Sequence, residues 1–414
     1  MSHDRHEAGF KERTRVAAAR ETLLAAVDRH DRVERVPLGA ADGRAVAEPL
    51  SAPNPVPGYD RAAMDGYAVR AEDTFGASDR SPTILRRSDD TVGPNQAARV
   101  HTGSDLPEGA DAVVMIEEVE ELDAELEVFD AVAEGENVGD VGEDVSEEQR
   151  LFDAGHRLRP SDLGLLKSVG LTEVPVFEPP EVAVIPTGEE LVQEDPAPGE
   201  VIETNGLTVS RLVKRWGGDA RYRDVVTDDE DRLADAIERD LDADVVVTTG
   251  GSSVGERDLL PEVVASLGEV LVHGVALRPG HPVAMGEIDG TPVINLPGYP
   301  VACIVNAVQF LRPALKTAGG LPVEPHPTRR ATLTRKIASE PGTRTYARVK
   351  LSGDSNGGDA ADGTTDLEAT PTRASGSGVL SSVALADGWV VVPEGREGID
   401  AGEVVDVEIW EAIA

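Results

Sequence analysis

Residues 248–258 read TTGGSSVGERD, in which glycines and hydroxyls follow the apolar stretch DVVV and run into a helical pattern closed by Asp258. Glycine lets a backbone approach an anion closely, and exposed amides with Ser and Thr hydroxyls supply donors. The Walker pattern Gly-x-x-x-x-Gly-Lys and the dinucleotide pattern Gly-x-Gly-x-x-Gly are both absent, so the run is either a tight strand-to-helix turn or an anion cradle of another kind. Three more turns carry Thr, Glu, Arg or His among Gly and Pro: Pro186 to Glu190 (PTGEE), Arg278 to Pro282 (RPGHP) and Asn295 to Pro300 (NLPGYP). Turn chemistry explains any one of them alone. Together they are expected after parallel strands, converging on one edge of a sheet. Far upstream stand PGYDRAAMDGYAV at 57–69 and Gly142-Glu143-Asp144. The first reads as a functional loop or a structural Ω-loop, and a single Asp is ordinary in a chain this acidic.

That acidity is large: 77 acids face 39 bases, for a net charge of -38, and only six of the bases are lysine. Such a field repels nucleic acid and anionic membranes, so neither is expected as a partner. Dispersed carboxylates, scarce lysine and 3% aromatic residues resemble haloarchaeal, salt-adapted proteins. Against this background any basic residue that must meet an anion stands out. Cys303 is the sole cysteine, which excludes a disulfide framework and cysteine metal sites, and its apolar helical setting predicts a buried thiol. The histidines have no metal-ligand spacing. A polar N-terminal stretch and no apolar run of membrane-spanning length predict a cytoplasmic protein.

The elements that must hold these turns follow from periodicity. From 181 to 320, buried strands (EVAVIPTG, DVVVTTGG, PVINLPG) alternate with helical patterns at 205–216, 230–241, 256–267 and 301–315. This predicts a doubly wound, mostly parallel sheet, with any ligand at the carboxyl ends of its strands. An amphipathic helix at 11–30 joins this α/β domain. Residues 51–148 read as a β-rich insert domain, 31–50 with 149–180 as a small linking domain ending in a linker at 175–180, and 321–414 as a C-terminal β-barrel-like domain. The acidic stretch 353–365 within it is expected to be a hairpin loop without chemistry. The fold class is therefore α/β plus β, in several domains.

These strings, in order across nearly the whole chain, resemble the molybdopterin molybdenumtransferase family of bacterial MoeA and the gephyrin E domain. The resemblance rests on PGYD and AMDGYAV at 57–69, Thr102-Gly103, Gly142-Glu143-Asp144, TGEEL at 187–191, GGSSVGERD at 250–258, Pro297-Gly298 and Gly376-Ser377-Gly378. It implies transfer of molybdate into adenylylated molybdopterin with release of AMP, aided by Mg²⁺. Tungstate, of like size and charge, is the competing anion. It implies catalytic roles for Asp65, Asp144, Glu190 and Asp258, with Glu190 and Asp258 also holding the metal. The implied substrate contacts are Thr102, Thr187, Gly188, Asp228, Gly250, Gly251, Ser252, Ser253, Pro297 and Gly298. Molybdate would meet Arg278, His281, Arg348 and Ser377. A homodimer with an active site shared between subunits is implied, with a molybdopterin adenylyltransferase and molybdoenzymes or tungstoenzymes as possible partners.

Three positions depart from the family pattern. His281 replaces the second lysine of its Lys-Pro-Gly-Lys turn, Tyr299 replaces an Asn, and Gly139 stands where an Arg often precedes the Gly-Glu-Asp string. They leave open a paralogue that binds molybdopterin or an oxyanion as scaffold or carrier without turnover. The adenylyltransferase itself is a short single domain, and the strings at 57–69 and 142–144 lie outside it.

Overall fold

The computed structural model describes residues 13–250, 259–353, 367–372 and 378–412. Gly251, Ser252, Ser253, Asp258 and Ser377, and most of the acidic stretch 353–365, lie outside them. The chain divides into two compact units, one of residues 1–33 and 177–414 and the other of Glu34–Val176.

In the first unit the central strands are buried on both faces, hence the unbroken apolar runs in sequence. Glu181–Thr187 pairs in parallel with Asp219–Tyr222 and Val245–Gly250, and the latter pairs in parallel with Thr291–Leu296. Ala284–Ile288 and Glu269–His273 complete the sheet as antiparallel strands. Alternate residues of each strand face opposite cores. Val182, Val184, Val245 and Val247 pack with Val16–Ala25, Asn205–Arg215 and the apolar helix after 299, whereas Ala183, Ile185 and Val246 meet Glu230–Glu238 and Leu259–Leu267. Glu230–Glu238 starts where Asp229 accepts a bond from the Arg232 amide, satisfying one of the first turn's orphan donors. Cys303 is fully buried, as its setting predicts.

Two expectations are corrected in this unit. The helix expected over 301–315 is Pro300–Asn306, a π turn at Ala307–Leu311, and Arg312–Ala318. Pro313 has no N–H for the Gln309 carbonyl, and that carbonyl instead accepts from Arg20 Nε at 3.1 Å. The 278–282 turn does not follow a strand of the α/β sheet. Leu277–Arg278 pairs in parallel with Arg344 and Thr345 of the C-terminal domain. That domain is a barrel: Arg344–Ser352, Glu368–Pro371, Thr328–Leu333, Val404–Glu408 and Gly388–Val392 pair in this order, and the last pairs back onto the first.

The second unit holds a six-stranded sheet in the order Ala112–Met115, Gly66–Val69, Gln96–Val100, Thr83–Ser88, Glu125–Val128, Val119–Leu122. A smaller core of Val36, Val46, Leu158, Leu166, Val174 and Val176 closes it. The linker expected from 175 begins inside a strand, Glu173–Phe177, which pairs with Val33–Pro37. Pro175 takes part there through its carbonyl alone, which accepts from the Ala47 amide at 3.0 Å.

Candidate functional site

The carboxyl ends of the parallel strands bring three of the turns together. Thr187 stands opposite Gly250 in the ladder, and a Cβ on Gly250 would lie 1.9 Å from the Thr187 carbonyl oxygen, so only glycine fits. Gly250 also has φ +135°, a region that side chains avoid. A Cβ on Gly298 would lie 3.4 Å from the Gly250 Cα, and the Gly298 carbonyl accepts from Asn205 Nδ2 at 2.7 Å. The hydroxyls of Thr187 and Thr249 are buried with no hydrogen-bond partner among the described residues. Orphaned hydroxyls are uncommon in native interiors and here point to a ligand with polar groups.

Beside them lies a carboxylate group of three. Asp228 has a buried oxygen without a partner, and burial, then Glu190 and Glu189, push its carboxyl above the usual range. Glu190 curls back over the turn, its Oε2 3.0 Å from where a Cβ on Gly188 would stand. Among the described residues these carboxylates do not form a group of three able to hold a metal ion, and Glu190's expected co-ligand Asp258 is outside the described residues.

Arg278, His281 and Arg348 line a different feature, a cavity of about 770 Å³ between the 278–281 turn and the barrel strand Arg344–Ser352. Thr187, Gly250 and Gly298 are not among its lining residues. The two features are joined by Pro300–Asn306. Gly298 and Tyr299 lead into this helix, and Asn306 near its end donates to the Gly280 carbonyl at 3.0 Å. Gly280 has φ +110° and no room for a Cβ against Asn306. Arg278 Nη1 pairs with Glu340 at 2.6 Å. Burial, then Arg13 and Arg278, lower the His281 pKa below the usual histidine range. Burial also lowers Arg348, whose guanidinium nonetheless stays charged. Gly378, next to Ser377, lies against the Tyr299 ring, which a Cβ there would approach to 3.3 Å.

Comparison with known proteins assigns the chain. Residues 14–170 match the MoeA N-terminal region (domain I and II), 183–317 a probable molybdopterin binding domain, and 330–410 the MoeA C-terminal region (domain IV). A protein of Methanocaldococcus jannaschii named for molybdopterin biosynthesis is 37% identical over 94% of each chain. The chain belongs to the MoeA family. Molybdopterin molybdenumtransferase 2 of Mycobacterium tuberculosis is 32% identical over 94% of this chain and 98% of its own. A crystal structure of a molybdopterin biosynthesis MoeA protein from Pyrococcus horikoshii superposes with a TM-score of 0.81 at 35% identity, covering 97% of this chain and all of that one.

The remaining residues expected from the sequence to act at the site lie in the second unit. Asp65 accepts from the Thr102 amide at 2.7 Å and from its hydroxyl at 2.8 Å. These two bonds, the amide's first, hold its carboxyl below the usual range and fix it as an exposed carboxylate. Gly66 has no room for a side chain, because a Cβ would lie 1.9 Å from the Val114 carbonyl. The 142–144 string runs beside this loop: the Gly142 amide donates to Pro57 and the Asp144 amide to Val56. Asp65 and Asp144 thus rise from neighbouring loops of one frame. Gly139, where the family often has Arg, pairs with Arg61 across two short strands. A Cβ on Gly139 would meet Glu143 Oε2 at 2.4 Å and Arg61 Nε at 3.1 Å, so the Arg61 side chain lies over the open glycine.

Sequence reasoning missed Asn205, Thr249, Glu340 and Arg13. Asn205 had a signal, an Asn at a helix start just before Gly206. Thr249 sits within the singled-out run but was not assigned a contact. Glu340 and Arg13 had none, since their relevance comes from contacts with distant segments.

Proposed function

We propose that this protein is a molybdopterin molybdenumtransferase, placing molybdate or tungstate into adenylylated molybdopterin and releasing AMP. The observation that carries this reading is the cavity in which Arg278, His281 and Arg348 meet, a cluster of basic side chains in a chain of net charge -38. A tetrahedral dianion suits such a site because guanidinium forks match oxyanion geometry. The strand-end turns suit the pterin and the adenylate, with the hydroxyls of Thr187 and Thr249, unpartnered among the described residues, as donors. Ser252, Ser253 and Pro297 would extend that cradle. Glu190 and Asp258 would hold Mg²⁺, which offsets the charge of the phosphoric anhydride. Asp228, with its raised pKa, can donate a hydrogen bond to the pterin when protonated.

Asp65 and Asp144 act in this reading as ionised carboxylates at the insertion step, reaching the site in a homodimer whose active site is shared between subunits. Ser377 joins Arg348 at the anion. The enzyme is cytoplasmic and works in high salt; among the described residues no helix is long and apolar enough to cross a membrane. The test is AMP release from adenylylated molybdopterin in molar salt with Mg²⁺, on adding molybdate or tungstate. The expected result is release dependent on one of these anions. Absence of release with both would overturn the enzymatic reading in favour of a carrier.

A further inference from the structure

The cations of the 770 Å³ cavity are not equally available. Arg278 is held by Glu340 at 2.6 Å, and Lys336 by Asp400 at 2.8 Å. The imidazole of His281 is a weaker base than usual, through burial first and then Arg13 and Arg278. Arg13 lines the same cavity and faces His281 closely enough to act on its charge. Among the described residues no carboxylate lies within ion-pair distance of Arg13.

The backbone pins Arg13 where it is. The Thr14 amide donates to the Gly274 carbonyl at 3.1 Å, and the Ala276 amide to the Thr14 carbonyl at 2.8 Å. On the other side of this arch, the Val275 amide donates to the His281 carbonyl at 2.9 Å. Segments 14, 274–277 and 281 therefore lie side by side, with Arg13 next to the bridged Thr14. An unanchored surface arginine would lose several rotors of freedom on binding an anion. The fixed backbone removes the main-chain share of the ordering cost and leaves only the side-chain share.

We infer that Arg13 is a further anion-binding residue of this cavity, supplying positive charge to a tetrahedral oxyanion of the molybdate class. The inference rests on reading the cavity as the oxyanion site. An incoming dianion must draw Arg278 away from Glu340, whereas it meets Arg13 without breaking an ion pair among the described residues. Arg13 thus adds to the affinity that Arg348 supplies, and the 278–281 turn sets position.

The test is molybdate binding to the full chain, measured by calorimetry at fixed salt for the wild type, R13Q, R13K and R348Q. R13Q should bind about tenfold more weakly, the loss of one charge-assisted contact, and R13K should recover most of that affinity. Wild-type affinity in R13Q, with binding lost in R348Q, would overturn the role of Arg13 and leave the cavity's role intact. No binding by the wild type, or equal binding by the wild type and R348Q, would overturn the reading of the cavity itself. R13K behaving like R13Q, with both thermal midpoints lowered, would show that Arg13 acts through the fold and would also overturn the inference.

Discussion

The 770 Å³ cavity of the first unit and the paired loops of the second share a feature of construction. In each, a basic position of the family motif is lost locally, and an arginine distant in sequence occupies the neighbourhood. In the cavity the lost position is His281 and the arginine is Arg13. In the loops it is Gly139, covered by Arg61. They differ in burial. The cavity's arginines include the half-buried Arg348, where a charge left without its anion is costly. Arg61 is exposed, and its 3.6 Å pair with Glu143 is of the kind that contributes little to stability. Charge in the cavity should therefore govern binding strength, whereas charge over the loops should be exchangeable between two positions.

The largest effect that separates them is R348Q. Removing a partly buried guanidinium from the anion should raise the molybdate requirement about 100-fold, near 2.7 kcal/mol. AMP release measured against molybdate concentration reads this directly. R61Q, in the same assay, should leave the molybdate requirement unchanged. Equal effects from the two would dissolve the contrast.

The exchange over the loops can be tested by a double-mutant cycle. Gly139 lacks the positive φ that would forbid a side chain, and what blocks it are the flexible ends of Glu143 and Arg61. G139R alone should lower stability by about 1 kcal/mol through crowding and like charge. In the R61A background G139R should cost almost nothing and should restore whatever activity R61A loses. Chemical denaturation with parallel AMP assays completes the cycle. Additive effects would show that Arg61 merely overlies Gly139.

Local patterning explains what was legible in these regions. The parallel strands were readable because burial on both faces demands unbroken apolar runs, as in DVVV before Thr248. The turn glycines were readable too, and Gly250 and Gly66 prove to be enforced by carbonyl oxygens 1.9 Å from any Cβ. The assignment of the 278–282 turn to the wrong sheet has a physical cause. Its strand, Leu277–Arg278, is two residues long and carries no periodicity, and its partner lies more than sixty residues on. The placing of Arg13 in the cavity of His281, and of Arg61 over Gly139, was illegible for the same reason. A side chain that reaches across the fold leaves no mark on the residues around it in sequence.

The smallest expected effect compares the two units in acid. His326, in the first unit, is lowered to about 4, by burial first and then by Arg312, Lys316 and Arg20. The unfolded chain takes up this proton near pH 6.5 and the folded one does not. Stability from this group is therefore whole above pH 6.5 and declines as pH falls towards 4, by about 1 kcal/mol for a ring still partly open to solvent. Asp162, in the second unit, behaves in the opposite sense. Burial would raise it, but hydrogen bonds from Arg159 and His156 hold it at about 2. Its contribution is whole above about pH 4 and is lost only as pH falls through 2. All three tryptophans, Trp216, Trp389 and Trp410, belong to the first unit, so tryptophan fluorescence reports that unit alone. Urea midpoints by fluorescence should fall between pH 6.5 and 4 in the wild type and fall less in H326Q. Hydrogen exchange in the helix Pro160–Ser168 should show no effect of H326Q over that range. An identical pH slope in the wild type and H326Q would assign the acid sensitivity of the first unit to other groups.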